Sequence, residues 1–184
     1  MRDRDADLPE EIRWQGKFIT AKTRGRWEYV GRARGIRAAV ILALDTNEDG
    51  GQDVILVEQY RVPLSRLCLE LPAGLIGDDD GSDFEHALDA ARRELEEETG
   101  YRAENWEVLG EFWSSPGMVS ESFTLLKATG LTRVSDGGGV DGENIVTHRV
   151  PLKAIAETIA EHRKSGTAID VKLLLLLGGG LIGG

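Results

Sequence analysis

The 184-residue sequence is short of several things, and each shortage removes a class of protein. It has one cysteine, Cys68, so no disulfide can form within the chain and pairing says nothing of redox compartment. Set in the apolar run "RLCLELP", that thiol reads as buried and structural rather than nucleophilic. The three histidines, His86, His148 and His162, are scattered, and none reads as catalytic. Basic residues are outnumbered, 22 Lys and Arg against 32 Asp and Glu, for a net charge of −10. Neutralising phosphates takes Lys and Arg, so the balance argues against nucleic acid and acidic membrane as partners. A small anionic substrate stays open, provided metal ions or local arginines supply positive charge. Long apolar runs are also lacking. The C-terminal "VKLLLLLGGGLIGG" has five leucines broken by three glycines, short of the ~20 apolar residues that a spanning helix needs. It reads as the end of a buried helix followed by a flexible tail. "MRDRDADLPEEIR" alternates charges and lacks the apolar core of a signal peptide, so the expected location is the cytoplasm.

What remains is the composition of an ordinary globular domain, 41% apolar and 29% charged. The length fits one domain with a small appendage, and no internal repeat or long linker interrupts it. Residues 17–35 carry strand-type alternation and turn residues, which predicts a short N-terminal sheet. "IRAAVILAL" (36–44) and "DVILVEQYRV" (53–62) are strong strands joined by the hairpin-like "DTNEDGGQ". A further strand is expected over 67–74, a helix around 83–99, and strands near 105–113 and 121–130. A glycine-rich loop (136–142), the strand "NIVTHRVP" and helices over 151–164 and 168–178 complete the chain. Strands and helices do not alternate regularly, so an α/β/α sandwich with a mixed sheet is favoured over a doubly wound parallel sheet.

The most informative stretch is "RRELEEETG" (92–100), with Glu94, Glu96, Glu97 and Glu98 on one piece of helix. "SDFE" (82–85) reads as a capping box in which Ser82 caps and Glu85 reaches back, and Gly100 supplies the stop. Phe84, Ala87, Leu88, Ala91 and Leu95 recur at helical spacing as the buried stripe. At about 100° per residue, Glu94 and Glu98 fall one turn apart at the edge of that stripe. Glu97 lies just outside them, and Glu96 faces solvent. The arrangement is unfavourable as it stands. Like charges at i and i+4 repel, carboxylates near a helix C-terminus oppose its dipole, and partial burial adds desolvation. A divalent cation reverses all three, and hard oxygen donors on a helix suit Mg²⁺ or Mn²⁺; an acidic solvated face is the alternative.

These residues resemble the Nudix hydrolase box, a glycine, five residues, a glutamate, seven residues, then Arg-Glu-apolar-x-Glu-Glu-x-Gly-apolar. Glu85, Arg93, Glu94, Leu95, Glu97, Glu98, Gly100 and Tyr101 match in spacing. The glycine does not: position 79 is Asp79, and the natural candidate is Gly74 in "LPAG", eleven residues before Glu85, which implies a five-residue insertion in the loop. The resemblance implies metal ligation by Glu94 and Glu98, with help from Glu97 and the backbone carbonyl of Ala73, and an orienting role for Arg93. Glu85 stays open between capping and direct chemistry.

Outside the box, "RGRWEYV", "VEQYR", "LELPAG" and "SSPG" resemble the ADP-ribose pyrophosphatase branch, with Pro116 fifteen residues past Tyr101. That resemblance implies an N-terminal region (1–36) for dimerisation and base binding, ahead of a catalytic domain (37–184). Trp27 would stack on adenine, Glu28 accept from its amino group, and Phe18 offer a second stacking position. Arg61 would contact the diphosphate, with Ser120 and Glu121 lining the site. Glu143, with Asp141 as the alternative, would bind the catalytic water or a further metal from a loop that closes over substrate. The implied activity is Mg²⁺-dependent hydrolysis of ADP-ribose to AMP and ribose 5-phosphate by a homodimer, with Mn²⁺ as a substitute. Another nucleoside diphosphate sugar such as GDP-mannose is the within-class alternative. A nucleotide-binding regulator that has lost catalysis is the other class, disfavoured because every box carboxylate is present.

Overall fold

Burial decides which strand lies at the centre. In β4 (Arg37–Thr46) six consecutive residues, Ala39 to Leu44, are buried, as expected of a strand covered on both faces rather than one. A computed structural model describes residues 2–33, 36–76, 86–140 and 142–178. In it β4 runs parallel to β9 (Ser122–Arg133) and antiparallel to β5 (Gln52–Arg61) and β7 (Ala73–Ile76). The eight-stranded mixed sheet is ordered β11 (Ala168–Ile169), β6 (Arg66–Glu70), β5, β4, β9 and β8 (Tyr101–Trp113), with β10 (Val146–Pro151) on β5 and β7 on β4.

Alternate residues of β4 serve the two faces. Ala39, Ile41 and Ala43 pack with Ala90, Ala91 and Leu95 of α1 (Ala87–Thr99). Val40, Leu42 and Leu44 pack with Ile155 and Ile159 of α2 (Ile155–Lys164) and with Leu173 and Leu176. This is the α/β/α sandwich with a mixed sheet that the sequence predicts.

Several boundaries differ from the sequence expectation. The small sheet has three strands, β1 (Glu11–Gln15), β2 (Ile19–Arg24) and β3 (Trp27–Arg32), and begins before residue 17. β1 escaped notice because its residues are all exposed and "EIRWQ" hides among charges. The strand expected over 67–74 is two strands parted at Leu71–Pro72, since Pro72 cannot donate to a ladder. α1 starts at Ala87, with His86 extended in the N-cap position; Ser82, Phe84 and Glu85 lie outside the described residues. The expected helix over 168–178 is replaced by β11, paired parallel with Cys68–Leu69, and a 3₁₀ helix at Val171–Leu177. Ladder pairing at a sheet edge there outweighs helix propensity, and Asp170 caps the 3₁₀ turn by accepting from the Lys172 N–H.

Candidate active site

A cleft of about 560 Å³ opens where α1, β7 and the C-terminal end of β5 meet. Glu94, Glu97 and Glu98 line it, while Glu96 points away and forms a two-bond pair with Arg102 at 2.6 and 2.8 Å. The four glutamates therefore divide as their helical spacing predicts. Glu98 is only 5% exposed and accepts the Ala73 backbone N–H at 3.0 Å. Ala73 thus meets the cluster through its amide. Arg93 Nη1 donates to Glu94 at 2.9 Å and to Glu97 at 3.2 Å, tying the two carboxylates together.

Gly74 supplies the room for this. A Cβ built there would coincide with the Glu94 side chain, so the close approach of β7 to α1 needs glycine. Gly74→Ala is expected to displace the Glu94 carboxylate and lower kcat/KM by up to about 100-fold while the melting temperature moves little. Measuring both decides the point: unchanged kcat/KM would mean that Glu94 works from another rotamer.

The electrostatics are strained. Burial pushes the Glu98 carboxyl up to about 8, with Glu94 and Glu143 adding to the rise and the Ala73 N–H and Arg61 opposing it. Burial also raises Glu94, against the pull of Arg93 and with a push from Glu97 and Glu143. Six glutamates line the cleft against Arg32, Arg61, Arg93 and Lys172. Each of those cations already has a carboxylate partner: Arg32 with Glu121 at 2.5 Å, Arg61 with Glu70 at 2.6 Å, Arg93 with Glu94 at 2.9 Å, Lys172 with Asp170 at 2.7 Å. Among the described residues, no three Asp, Glu, His or Cys groups stand ready as a metal cage. The donor chemistry still fits a divalent cation: hard oxygens, buried like charges, and protons held where a cation would sit.

Glu143 lines the same cleft from the glycine-rich loop, its carboxylate accepting the Val140 N–H at 3.0 Å. That loop is fastened rather than hanging free. Gly138 and Gly139 donate at 2.9 Å to the Glu98 and Glu97 carbonyls in the last turn of α1, where intrahelical donors run out, and the Thr147 hydroxyl adds a bond to Glu98 O at 3.3 Å. Gly137, Gly138 and Gly139 all have positive φ (67°, 104° and 80°), a run open only to glycine. The sequence expectation of a loop swinging over substrate therefore needs these two bonds to break. Asp141 lies outside the described residues.

The other predicted residues are not gathered at one point. Arg61 and Glu121 line the cleft. Trp27 and Pro116 come together instead in a neighbouring hollow of about 360 Å³, with Tyr29, Arg24 and Ser120. Phe18 and Glu28 are exposed on the small sheet and line neither. The hollow and the cleft are linked through the chain itself, since Ser120 lines one and Glu121 the other, and the Ser120 N–H donates to Val30 of β3 at 2.9 Å. Sequence reasoning missed Glu70, Arg32 and Lys172. Glu70 had a signal: a carboxylate inside the apolar run "LCLELP" is seldom buried unless paired.

Comparison with known proteins agrees with this geometry. The NUDIX domain family matches residues 35–168. The chain is similar to the methanol dehydrogenase activator of Bacillus methanolicus, 37% identical over 76% of this chain and 72% of that one. It is 33% identical to the GDP-mannose pyrophosphatase of Cronobacter sakazakii over 78% of this chain and 72% of that one. With the ADP-ribose pyrophosphatase of Bacillus subtilis it shares 36% identity over 50% of this chain and 48% of that one. A solved structure, titled a crystal structure of ADP compounds hydrolase, has the same fold: TM-score 0.68, 22% identity, 96% of this chain and 93% of that one covered. The helix with its inward carboxylates, the glycine that makes room for them and the match across most of the chain lead to one conclusion: this chain belongs to the Nudix family of hydrolases.

Proposed function

We propose that the chain hydrolyses the diphosphate of ADP-ribose to AMP and ribose 5-phosphate. The observation that carries the reading is buried Glu98 with half-buried Glu94 facing a cleft that also presents Arg61, next to a hollow lined by Trp27 and Pro116. Glu94, Glu97 and Glu98 would hold Mg²⁺, or Mn²⁺ in its place, with the Ala73 carbonyl as a further donor. A divalent cation held there would supply Lewis-acid stabilisation of phosphate charge and a more acidic water. Arg61 and Lys172 offer their remaining N–H groups to the phosphates, and Arg93 keeps Glu94 and Glu97 together. Glu143 accepts a proton from the attacking water as its oxygen bonds to phosphorus and the bridging P–O bond breaks.

Trp27 would stack on the base, with Glu28 and Phe18 contributing from the small sheet and Glu121 from the cleft wall. Exposed Ile12, Trp14 and Phe18 on that sheet support a homodimer in which residues 1–36 serve association and base binding and residues 37–184 catalysis. We place the protein in the cytoplasm; no helix among the described residues is long and apolar enough to cross a membrane. A second reading, GDP-mannose or another nucleoside diphosphate sugar, is favoured by the long match to a GDP-mannose pyrophosphatase.

A panel of nucleoside diphosphate sugars with Mg²⁺, read by phosphate-containing products, separates these. ADP-ribose is expected to be cleaved best, and Trp27→Ala to raise its KM by roughly tenfold with kcat retained, since one stacked base contributes about 1–3 kcal/mol. GDP-mannose cleaved well ahead of ADP-ribose overturns the substrate, and no turnover of any member overturns the hydrolytic reading.

A further inference from the structure

We infer that Glu70 is a positioning residue, which holds Arg61 toward the substrate diphosphate and keeps it from closing on Glu98. The inference rests on the diphosphate reading above and goes beyond it by assigning a role to a carboxylate outside the Nudix helix. Glu70 ends β6, and its partner strand β5 ends at Arg61. Both oxygens of Glu70 are used on one edge of the guanidinium, Nε donating at 2.6 Å and Nη2 at 2.8 Å. A guanidinium has five N–H groups, so those on its other edge remain for a ligand in the cleft that Arg61 lines.

The pair is lopsided. The Glu70 side chain is 6% exposed, whereas the Arg61 side chain is 42% exposed. That is the geometry of a fixed carboxylate orienting a cation that faces solvent and substrate. Stability alone is a poor reason for it, because buried ion pairs seldom exceed apolar pairs of similar volume in net stabilisation. Val57, the residue opposite Glu70 on β5, is apolar and fully buried, so apolar packing is available at this point of the strand pair.

Glu98 gives the arrangement its second purpose. Arg61 and Glu98 already feel one another's charge. Freed from Glu70, Arg61 has Glu98 among the other carboxylates of the cleft that both residues line, and pairing there would oppose cation binding. Glu70 therefore serves two outcomes at once, a presented guanidinium and an open Glu98. With both oxygens occupied by Arg61, Glu70 itself is poorly placed to ligate a cation.

The test compares wild type, Glu70→Gln, Arg61→Ala and the double variant. For Glu70→Gln we expect kcat/KM on the best panel substrate to fall by up to about 100-fold, mostly through KM. The Mg²⁺ concentration for half-maximal activity should rise, and the Mg²⁺-induced gain in melting temperature should shrink. The double variant should be no worse than Arg61→Ala. Wild-type KM and Mg²⁺ midpoint in a merely less stable Glu70→Gln would overturn the inference, as would single effects that multiply in the double variant. If wild type turns over nothing, the functional reading fails separately. The thermal shift still decides here: a wild-type Mg²⁺ gain in Glu70→Gln overturns the role of Glu70.

Discussion

Glu98→Gln should lose at least about 10³-fold in turnover, taking the metal-dependent transition-state stabilisation as about 4 kcal/mol, and yet fold into a protein no less stable than wild type. The two effects have one cause. Glu98 is the most buried of the carboxylates that α1 gives the cleft, at 5% exposure, and its pKa is pushed up to about 8 first by burial and then by Glu94 and Glu143. An isosteric amide keeps an oxygen to accept the Ala73 N–H, now at 3.0 Å, while removing the charge that is costly to bury. It also removes the anionic donor that a divalent cation needs. Glu96→Gln is the matched control on the same helix, since Glu96 is bound to Arg102 outside the cleft; it should retain wild-type turnover. Steady-state rates with Mg²⁺ and thermal melts near pH 8 read both effects. Near-normal activity in Glu98→Gln would remove Glu98 from the metal site, and a large drop in stability would show that the Ala73 bond requires the carboxylate.

The legible parts of the fold were those where one local pattern dominated. β4 and β5 are continuous apolar runs flanking "DTNEDGGQ", and the structure pairs them antiparallel as Leu44 with Val54 and Thr46 with Gln52. Along α1 the 3.6-residue period separated Ala91 and Leu95 from Glu96 without reference to the rest of the chain. Failures came where distant contacts decide. "AID" at 168–170 carries no strand signal of its own and becomes β11 only because Cys68 and Leu69 offer a free edge. β1 likewise exists through its pairing with β2, not through a buried face.

The site was legible where it is local and illegible where it is assembled. One helix supplies Glu94, Glu97 and Glu98, so spacing alone placed them together. Arg61, Glu121 and Glu143 arrive from three other segments, and only family resemblance tied them to the cleft. The pairing of Arg93 with the helix glutamates was expected, but that of Arg32 was beyond sequence reasoning, because Arg32 and Glu121 are 89 residues apart and meet only through β3 and the turn before β9. Trp27 and Pro116 show the converse: the resemblance gave Trp27 a base-stacking role and took Pro116 as a mark of the branch, and the structure puts them in one hollow beside the cleft rather than inside it.

Protein without divalent metal should lose stability as pH rises from about 4.5 to about 8, and Mg²⁺ should counter that loss increasingly at the alkaline end. Glu98 protonates at about 8 in the folded chain against an ordinary 4.5. Between those values the folded state binds the extra proton, so stability falls with rising pH. The contribution is complete below 4.5 and gone once pH passes the folded value; its upper bound is about 5 kcal/mol, reduced by whatever relaxation or water entry accompanies ionisation. Carboxylates held low act in the opposite sense but in another window. At Asp53 burial is outweighed by Arg149 and Asn47, and its stabilisation is lost only as pH falls below 3.8. A divalent cation ligates the deprotonated carboxylate and competes with its proton, so the Mg²⁺-induced rise in melting temperature should grow from mildly acidic to mildly alkaline buffer. Glu98→Gln should flatten both the metal-free slope and the metal response, whereas Glu96→Gln should leave both intact. Calorimetric melts across that range, with chelator or Mg²⁺, distinguish the outcomes. Metal-free stability that climbs toward pH 8, or a Mg²⁺ gain largest at acid pH, would mean that Glu98 does not exchange a proton for a cation, and the chemistry would then have to be rebuilt around Glu94 and Glu97.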